Sequence, residues 1–205
     1  MAFRLGIIIL AAGGSSRFGS PKQLLRVDGE TLVERAVREA AGFSSPDVSA
    51  TVVVLVLGAN HREITAKPEH IIKPNLLVAV NDLWQTGIAS SIRCGLAALP
   101  PETDAALLTL CDLPLVDSRL YETLSEAYFR SGKGISCCRY GGSGGVPAVF
   151  DKKYFPLLLA LAGDRGAKSL FGQFHDDVIA VECSQAAADI DTPEDALRFA
   201  GKGQQ

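Results

Sequence analysis

The residues best suited to chemistry in this chain are cations and carboxylates that lie far apart in the sequence. Arg17 and Lys22 stand in a glycine-rich segment near the start, whereas Asp112, Asp189 and Asp191 follow much later. Arginine binds phosphate oxygens as a planar fork and lysine binds them as a point charge. Carboxylate oxygens are ligands that Mg²⁺ prefers, and bound Mg²⁺ bridges phosphates. These residue types favour a site for a magnesium-complexed polyphosphate.

The glycine-rich segment is predicted to be a phosphate-binding loop. It follows an apolar run at 5–10 that is typical of a buried parallel strand. Its three glycines let backbone N–H groups approach an anion without a Cβ in the way. It is not a Walker A loop, because Gly19 is followed by Ser-Pro-Lys, and it lacks the dinucleotide fingerprint G-x-G-x-x-G. A tight turn that is merely rich in glycine is the alternative, but it leaves Arg17 and Lys22 unexplained.

A second candidate binding segment opens the helix predicted from residue 88. Gly87, Ser90 and Ser91 put small side chains in and around its first turn. Such residues let a flat base or a phosphate approach the exposed N–H groups of a helix N-terminus. From the residues alone, an ordinary helix start packed by Trp84 explains the segment equally well.

Asp112 directly follows an apolar run at 105–110 that predicts another buried strand. It could cap the next helix, but Asp117 or Ser118 serves that purpose better. Because ligands of parallel sheets bind at the carboxyl ends of strands, a magnesium ligand is the favoured interpretation of Asp112.

Asp189 and Asp191 precede a strong helix start in which Thr192 is the predicted N-cap and proline follows it. That helix start leaves both aspartates without a structural task. Alternation puts the two carboxylates on one face, with Ile190 opposite.

Alternating strand and helix patterns predict an α/β fold with a three-layer, doubly wound, mostly parallel sheet. The predicted strands cover 5–10, 51–57, 76–80, 105–110, 134–140, 146–150 and, at a sheet edge, 178–182. Predicted helices begin at a capping box formed by Thr31 and Glu34, near 61, near 88, near 118, at 152–162 and after Thr192. The glycine-rich segment 141–145 is interpreted as a flexible loop that is either a lid, a close approach to a ligand or a disordered connector.

Length and composition predict a single domain over residues 1–205. The net charge of −3 and the lack of a basic run argue against a nucleic-acid partner, and the apolar runs are too short to span a membrane. The five cysteines lack C-x-x-C spacing and are expected to be reduced, mostly buried side chains of a cytoplasmic protein.

Five ordered segments resemble nucleotidyltransferases that activate molybdenum cofactor. The loop at 10–25 is most similar to the cytidylyltransferase branch, which carries L-A-A-G where the guanylyltransferase branch usually carries L-A-G-G. The others are N-x-x-W-x-x-G-x-x-x-S-x-R-x-G at 81–95, D-x-P at 112–114, G-D-x-G-A at 163–167 and D-I-D-T-P-E-D at 189–195. C-D-L-P leans toward the guanylyl branch.

This resemblance implies a Rossmann-like nucleotidyltransferase fold and a role for each matching residue. The residues implied to bind the nucleotide are Ala11, Ala12, Gly13, Gly14, Ser15, Lys22, Gly87, Ser90 and Ser91. The residues implied to act in catalysis are Arg17, Lys22 and Asp112. Magnesium is assigned to Asp112 together with Asp189, which is preferred, or Asp191.

The implied reaction transfers CMP from CTP to a molybdopterin-type acceptor and releases pyrophosphate. The alternatives are a GTP-dependent guanylyltransferase of the same fold and a non-catalytic nucleotide- or cofactor-binding chaperone for a molybdoenzyme. A molybdoenzyme or its chaperone is a further partner that the resemblance implies. Val146 stands where relatives often carry a polar residue near the second substrate, which leaves the acceptor open.

Overall fold

The computed structural model describes residues 3–15, 18–66, 71 and 73–200. Within these residues, the strands are β1 (Arg4–Ala11), β2 (Arg26–Val27), β3 (Glu30–Thr31), β4 (Ala50–Leu57), β5 (Leu76–Val80), β6 (Ala105–Leu110), β7 (Ile135–Tyr140), β8 (Ser143–Asp151) and β9 (Val178–Glu182). A seven-stranded sheet has the order β5-β4-β1-β6-β8-β7-β9, and β2 with β3 forms a separate ribbon.

The central strand β1 is buried on both faces. It pairs in parallel with β4 on one side and with β6 on the other. Ile7 and Ile9 contribute to the core on one face of the sheet and Ile8 to the core on the other, all with no exposed surface. A strand covered on both faces needs a continuous apolar sequence, which confirms the buried strand predicted at 5–10. β8 alone is antiparallel to its neighbours in this sheet as described.

Helices cover both faces of the sheet, which confirms the three-layer α/β fold. They are α1 (Leu32–Ala41), α2 (His61–Ile64), α3 (Ile88–Ala97), α4 (Ser118–Ser131), α5 (Phe155–Leu159), α6 (Ser169–Gln173) and α7 (Pro193–Ala200). α1 and α4 pack on the face of Ile7, and α3, α5 and α6 pack on the face of Ile8. Among the described helices, none has the length and apolar character that crossing a bilayer requires.

Three of the predicted helix starts are confirmed by their caps. Thr31 Oγ1 accepts a hydrogen bond from the N–H of Glu34 at 3.2 Å, while the Glu34 carboxylate accepts one from the N–H of Thr31 at 2.7 Å. Asp117 caps α4 by accepting from the N–H of Leu120 at 3.0 Å. Thr192 caps α7 through the N–H of Asp195 at 3.2 Å.

The flexible loop predicted at 141–145 is wrong. Gly141 and Gly142 alone make the turn, with φ of 56° and 75°, and β8 begins directly afterwards at Ser143. Two consecutive residues with positive φ fit a tight hairpin turn, which glycines form without strain. The remaining glycines of the segment belong to β8, so the segment is a β-hairpin.

The helix predicted at 152–162 is also wrong in extent. Residues 152–154 form a 3₁₀ turn, and α5 covers only Phe155–Leu159. Pro156 lies in the first turn of α5, where its missing N–H leaves no helical hydrogen bond unmade. The proline therefore belongs to the first turn of the helix, whereas the sequence pattern had placed it in the helix interior.

Candidate active site

The carboxyl ends of β1 and β6 open onto a cavity of about 390 Å³. The predicted site residues that line this cavity are Ala11, Ala12, Gly13, Gly14, Lys22, Gly87, Ser91 and Asp112. The sheet order thus brings the loop, the start of α3 and the end of β6 together, although Lys22 and Asp112 are 90 residues apart. Arg17 lies outside the described residues, and its phosphate contact stays a prediction.

Lys22 is held at the mouth of the loop by three oxygen atoms. Its ammonium donates to the Asp112 carboxylate, to Asp191 Oδ1 at 2.9 Å and to the carbonyl of Ile190 at 3.3 Å. Burial by itself would lower the pKa of Lys22, but attraction to Asp112 and Asp191 outweighs it and raises that pKa above its ordinary value. Lys22 therefore stays a cation.

Asp112 is the most buried carboxylate of this group. Its side chain is 13 % exposed, compared with 50 % for Asp191. Burial raises the pKa of Asp112, and the neighbouring ammonium of Lys22 opposes that rise. Oδ2 bonds Lys22, whereas the buried Oδ1 accepts no hydrogen bond from the residues that the structure describes. A buried oxygen without a hydrogen-bond donor costs free energy unless a ligand supplies a donor or a cation.

The donor set fits a magnesium ion that is shared with phosphate. Mg²⁺ is usually held by one or two carboxylates and by substrate phosphates rather than by a complete protein cage. Asp112 and Asp191 lie on either side of the Lys22 ammonium and provide such a pair. Over the described part of the chain, no group of three or more His, Cys, Asp or Glu residues forms a complete metal site.

The segment 189–191 is fixed against the end of β6. The N–H of Ile190 donates to the carbonyl of Asp112 at 3.1 Å, and its side chain is fully buried beside Val27 and Leu32. Both aspartates are exposed, whereas Ile190 is buried. The carboxylate that reaches Lys22 is that of Asp191 rather than the preferred Asp189. Which of the two binds metal stays a prediction.

Gln23 supports the loop from the protein interior and was not singled out from the sequence. Its side chain is 1 % exposed, and its Nε2 donates to the carbonyls of Ala11 at 2.9 Å and Gly13 at 2.7 Å. Ser15 Oγ accepts from the N–H of Lys22 at 2.9 Å. The only sequence signal for Gln23 was its position next to Lys22 inside the loop segment. No sequence pattern distinguishes a buried glutamine from an exposed one.

Asn81 organises the two serines of α3 and is a second residue that sequence reasoning missed. Its Nδ2 donates to Ser90 Oγ at 2.8 Å and to Ser91 Oγ at 3.0 Å. Ser90 Oγ lies close to the carbonyls of Leu83 and Gly87, so its hydroxyl bonds within the protein. Ser91 lines the cavity, and because its oxygen accepts from Asn81, its proton can be donated to a ligand.

Gly87 joins α3 to the turn at 163–164. Its φ is 102°, and a Cβ at this position would lie 2.3 Å from backbone atoms of Gly163 and 2.7 Å from a carboxylate oxygen of Asp164. The carbonyl of Gly163 also accepts from the N–H of Ala89 at 3.1 Å. Only glycine fits this close approach, which brings Asp164 to the cavity wall.

The side of the site predicted for the acceptor is built from the 163–168 segment and the β7–β8 hairpin. Lys168 Nζ donates to Ser143 Oγ at 3.0 Å. Tyr140 OH donates to the carbonyl of Val146 at 3.2 Å. The hydrogen bond from Lys168 to Ser143 thus joins the two segments.

A larger depression of about 690 Å³ lies elsewhere, between α1 and the amino ends of β4 and β5. Phe43, Val48 and Lys73 are among the residues that line it. It contains none of the predicted site residues, since these gather at the opposite, carboxyl ends of the strands.

Comparison with known families gives one match that covers most of the chain. Residues 7–178 match the model of the MobA-like NTP transferase domain. Nicotine blue oxidoreductase of Paenarthrobacter nicotinovorans is 31 % identical over 203 residues, which is 94 % of each chain. The 2-C-methyl-D-erythritol 4-phosphate cytidylyltransferase of Thermobifida fusca is 37 % identical over 123 residues, covering 57 % of this chain and 46 % of that enzyme.

Among solved structures, Rv0371c of Mycobacterium tuberculosis H37Rv has the same fold over nearly its whole length. One crystal structure is 29 % identical, with a TM-score of 0.77 over 98 % of this chain and 99 % of that one. A second structure of Rv0371c is a complex with manganese, 26 % identical, with a TM-score of 0.72 over the same shares of the two chains.

Proposed function

The chain belongs to the family of MobA-like NTP transferase domains, and we propose that it transfers CMP from CTP to a molybdopterin-type molybdenum cofactor and releases pyrophosphate. Nucleotidyl transfer is the activity that family membership supports. The observation that carries the proposal is the Lys22 ammonium between Asp112 and Asp191, beside the cavity that the glycine-rich loop lines. A cation between two carboxylates suits a metal-complexed triphosphate, with the metal on the carboxylates and Lys22 on phosphate.

The reaction proposed here is an in-line displacement at phosphorus. A phosphate oxygen of the acceptor attacks the α-phosphorus of CTP, a new P–O bond forms, and the bond to pyrophosphate breaks. An acceptor phosphate is already ionised at neutral pH, so no general base is needed. The protein has to hold two anions together and neutralise developing charge. Lys22 and Arg17 are the residues proposed to bind the leaving pyrophosphate.

Magnesium is proposed to bind Asp112 and one carboxylate of the 189–191 segment. Asp191 is favoured by its contact with Lys22, and Asp189 is the alternative. Bound Mg²⁺ supplies charge neutralisation at the phosphate oxygens. The unpartnered Oδ1 of Asp112 supports this assignment because it is a buried anionic oxygen without a donor among the described residues. The manganese complex of Rv0371c makes divalent-cation binding reasonable for this chain.

CTP is proposed in preference to GTP. The Leu-Ala-Ala-Gly sequence at the end of β1 and the Asn81-to-Gly95 segment resemble the cytidylyl branch, and one relative is a cytidylyltransferase. The Cys-Asp-Leu-Pro sequence around Asp112 favours GTP instead. A GTP-dependent guanylyltransferase is therefore the second nucleotide to test.

The molybdopterin-type acceptor and a receiving molybdoenzyme, or its chaperone, are proposed from the resemblance alone. Where the 163–168 segment meets the hairpin, Lys168 offers a cation for an acceptor anion. Val146, on that hairpin, offers its backbone carbonyl and an apolar side chain.

The experiment that tests this function is a pyrophosphate-release assay with Mg²⁺, CTP or GTP, and a purified molybdopterin-type acceptor. The proposal expects release that needs the acceptor and is faster with CTP than with GTP. Faster release with GTP would select the guanylyltransferase. Tight binding of nucleotide or acceptor without any pyrophosphate would select the non-catalytic chaperone.

A redox activity is a second candidate, because the relative that spans 94 % of both chains is named an oxidoreductase. The same protein sample should therefore be assayed for oxidation or reduction of nicotine blue, the compound in that relative's name. Turnover there, without pyrophosphate release in the first assay, would replace nucleotidyl transfer as the function.

A further inference from the structure

Gln23 bonds the phosphate loop from the side that faces the protein interior. Both hydrogen atoms of its amide are used, one on the carbonyl of Ala11 at 2.9 Å and one on the carbonyl of Gly13 at 2.7 Å. Its Oε1 accepts from Ser15 Oγ at 3.3 Å. With 1 % of its surface exposed, this side chain contacts the loop from the buried base of the cavity, which it helps to line.

These bonds fix the direction in which the loop amides point. In a planar trans peptide, the carbonyl of one residue and the N–H of the next point in opposite directions. Because the carbonyls of Ala11 and Gly13 are turned toward Gln23, the N–H groups of Ala12 and Gly14 are turned away from it. Ala12 and Gly14 both line the cavity.

We propose that Gln23 is a positioning residue that directs the N–H groups of Ala12 and Gly14 at the triphosphate. This inference rests on the proposed function, since a triphosphate is the ligand concerned. Gln23 shares its single 3₁₀ turn, Lys22–Leu24, with the phosphate-binding cation Lys22. The 3₁₀ turn therefore orients the backbone N–H donors of Ala12 and Gly14 and also carries the ammonium group of Lys22.

The chemistry of the amide matters at this position. A methionine of similar length would fill the space but leave two buried carbonyls without donors, so the loop peptides could rotate. A glutamate would bring a carboxylate against two carbonyl oxygens and repel them. Either change is expected to misdirect the amides of Ala12 and Gly14 while leaving Lys22 and Asp112 in place.

The test compares Gln23→Met and Gln23→Glu with the wild-type protein and with Gln173→Met, a control at an exposed position on α6. Calorimetry with inorganic tripolyphosphate and with CTP, both with Mg²⁺, is expected to give weaker binding for the Gln23 variants, and the pyrophosphate-release assay is expected to give a kcat about 10²-fold lower. The loss is expected mainly in kcat, since the amides act on charge that develops in the transition state. The control is expected to match the wild type.

A measurement on the wild-type protein keeps the inference testable if the Gln23 variants do not fold. Titration of ¹⁵N-labelled wild-type protein with tripolyphosphate and Mg²⁺ is expected to shift the amide resonances of Ala12 and Gly14 strongly. Folded Gln23→Met with wild-type affinity and kcat, or unmoved Ala12 and Gly14 resonances in a protein that binds tripolyphosphate, would overturn this inference alone. A wild-type protein that binds no tripolyphosphate would overturn the proposed function and this inference with it.

Discussion

Lys22 occupies a position that a divalent cation would also favour. Its ammonium touches one oxygen of Asp112, one of Asp191 and the carbonyl of Ile190. All three are hard oxygen ligands of the kind that magnesium binds. Without nucleotide, the lysine offsets part of the negative charge of the two carboxylates, so it should compete with a free metal ion for them. With nucleotide present, phosphate gives the ammonium an alternative partner.

Lys22→Met is expected to raise the affinity for Mn²⁺ in the absence of nucleotide by about tenfold, because a competing unit charge within ~4 Å is removed. In the same variant, kcat is expected to fall by about 10²–10³, since a charge-stabilising donor is lost. Electron paramagnetic resonance of free Mn²⁺ measures the first effect. Lys152→Met, which removes an exposed lysine bonded to the Pro101 carbonyl, is the control. Unchanged or weaker Mn²⁺ binding by Lys22→Met would contradict the competition.

Asp112→Asn is expected to lower kcat by about 10²–10³, since the neutral amide binds magnesium poorly where charge must be neutralised. The steady-state rate of pyrophosphate release at saturating Mg²⁺ measures the effect. Asp176→Asn, at an almost fully exposed carboxylate, serves as the matched control. Full metal-dependent turnover by Asp112→Asn would show that the metal assignment is wrong.

At the scale of elements, the site depends on how α3 meets the 163–164 turn. Gly87 and Gly163 approach so closely that a Cβ at 87 would overlap backbone atoms. The same contact brings Asp164 to the cavity that Ser91 also lines. Separation of these two segments should therefore open the wall of the nucleotide site.

Gly87→Ala tests the contact between Gly87 and Gly163. The control is Gly132→Ala, which introduces backbone strain without a steric clash. Gly132 also has positive φ, 63°, but a Cβ there would meet nothing within 4 Å. Gly132→Ala is expected to cost about 1 kcal/mol of unfolding free energy and to leave CTP affinity unchanged. Gly87→Ala is expected to cost about 1–3 kcal/mol and to weaken CTP binding as well. Urea denaturation and calorimetry give the two quantities; equal behaviour of the variants would contradict a role for the contact.

The elements with the strongest local signals could be predicted from the sequence. Continuous apolar runs identified the buried strands, and the Thr31–Glu34 pair identified the start of α1. The hairpin at 141–142 was missed because four glycines in five residues hide the β-strand that two of them enter. Pro156 misled the prediction because its place in the first turn depends on where the preceding 3₁₀ turn ends.

The candidate site was predictable only in part, for a different physical reason. The roles of charged and glycine residues such as Lys22, Asp112 and Gly87 could be predicted from their residue type and their position in a motif. Gln23 and Asn81 act through buried hydrogen bonds to partners that only the folded chain brings near. The choice of Asp191 beside Lys22 likewise depends on the exact path of an irregular segment.

At the scale of the whole molecule, the sheet order gathers a distributed site. β1 lies between β4 and β6, so the loop after β1 and Asp112 after β6 are neighbours. The segment 189–191 then returns to the end of β6 through the bond from Ile190 to Asp112. Ligand binding at such a junction links segments from both ends of the chain and should stabilise the fold as a unit.

Mg²⁺ with CTP at about 100 times the dissociation constant is therefore expected to add about 2.7 kcal/mol of stability and to raise Tm by about 5–10 °C. Cytidine at the same concentration should give a much smaller shift, because it lacks the phosphates that the loop binds. Differential scanning calorimetry measures both. An equal shift with cytidine would mean that the phosphates contribute nothing.

The central claim is that the mouth of the sheet binds a magnesium-complexed triphosphate. Calorimetric titration of CTP into the wild-type protein and into Asp112→Asn, each with Mg²⁺ and with EDTA, tests it most directly. We predict binding at least about tenfold tighter with Mg²⁺ for the wild type, which corresponds to about 1.4 kcal/mol, and loss of that gain in Asp112→Asn. Equal affinity with Mg²⁺ and with EDTA in the wild type, or a full gain retained by Asp112→Asn, would contradict the claim.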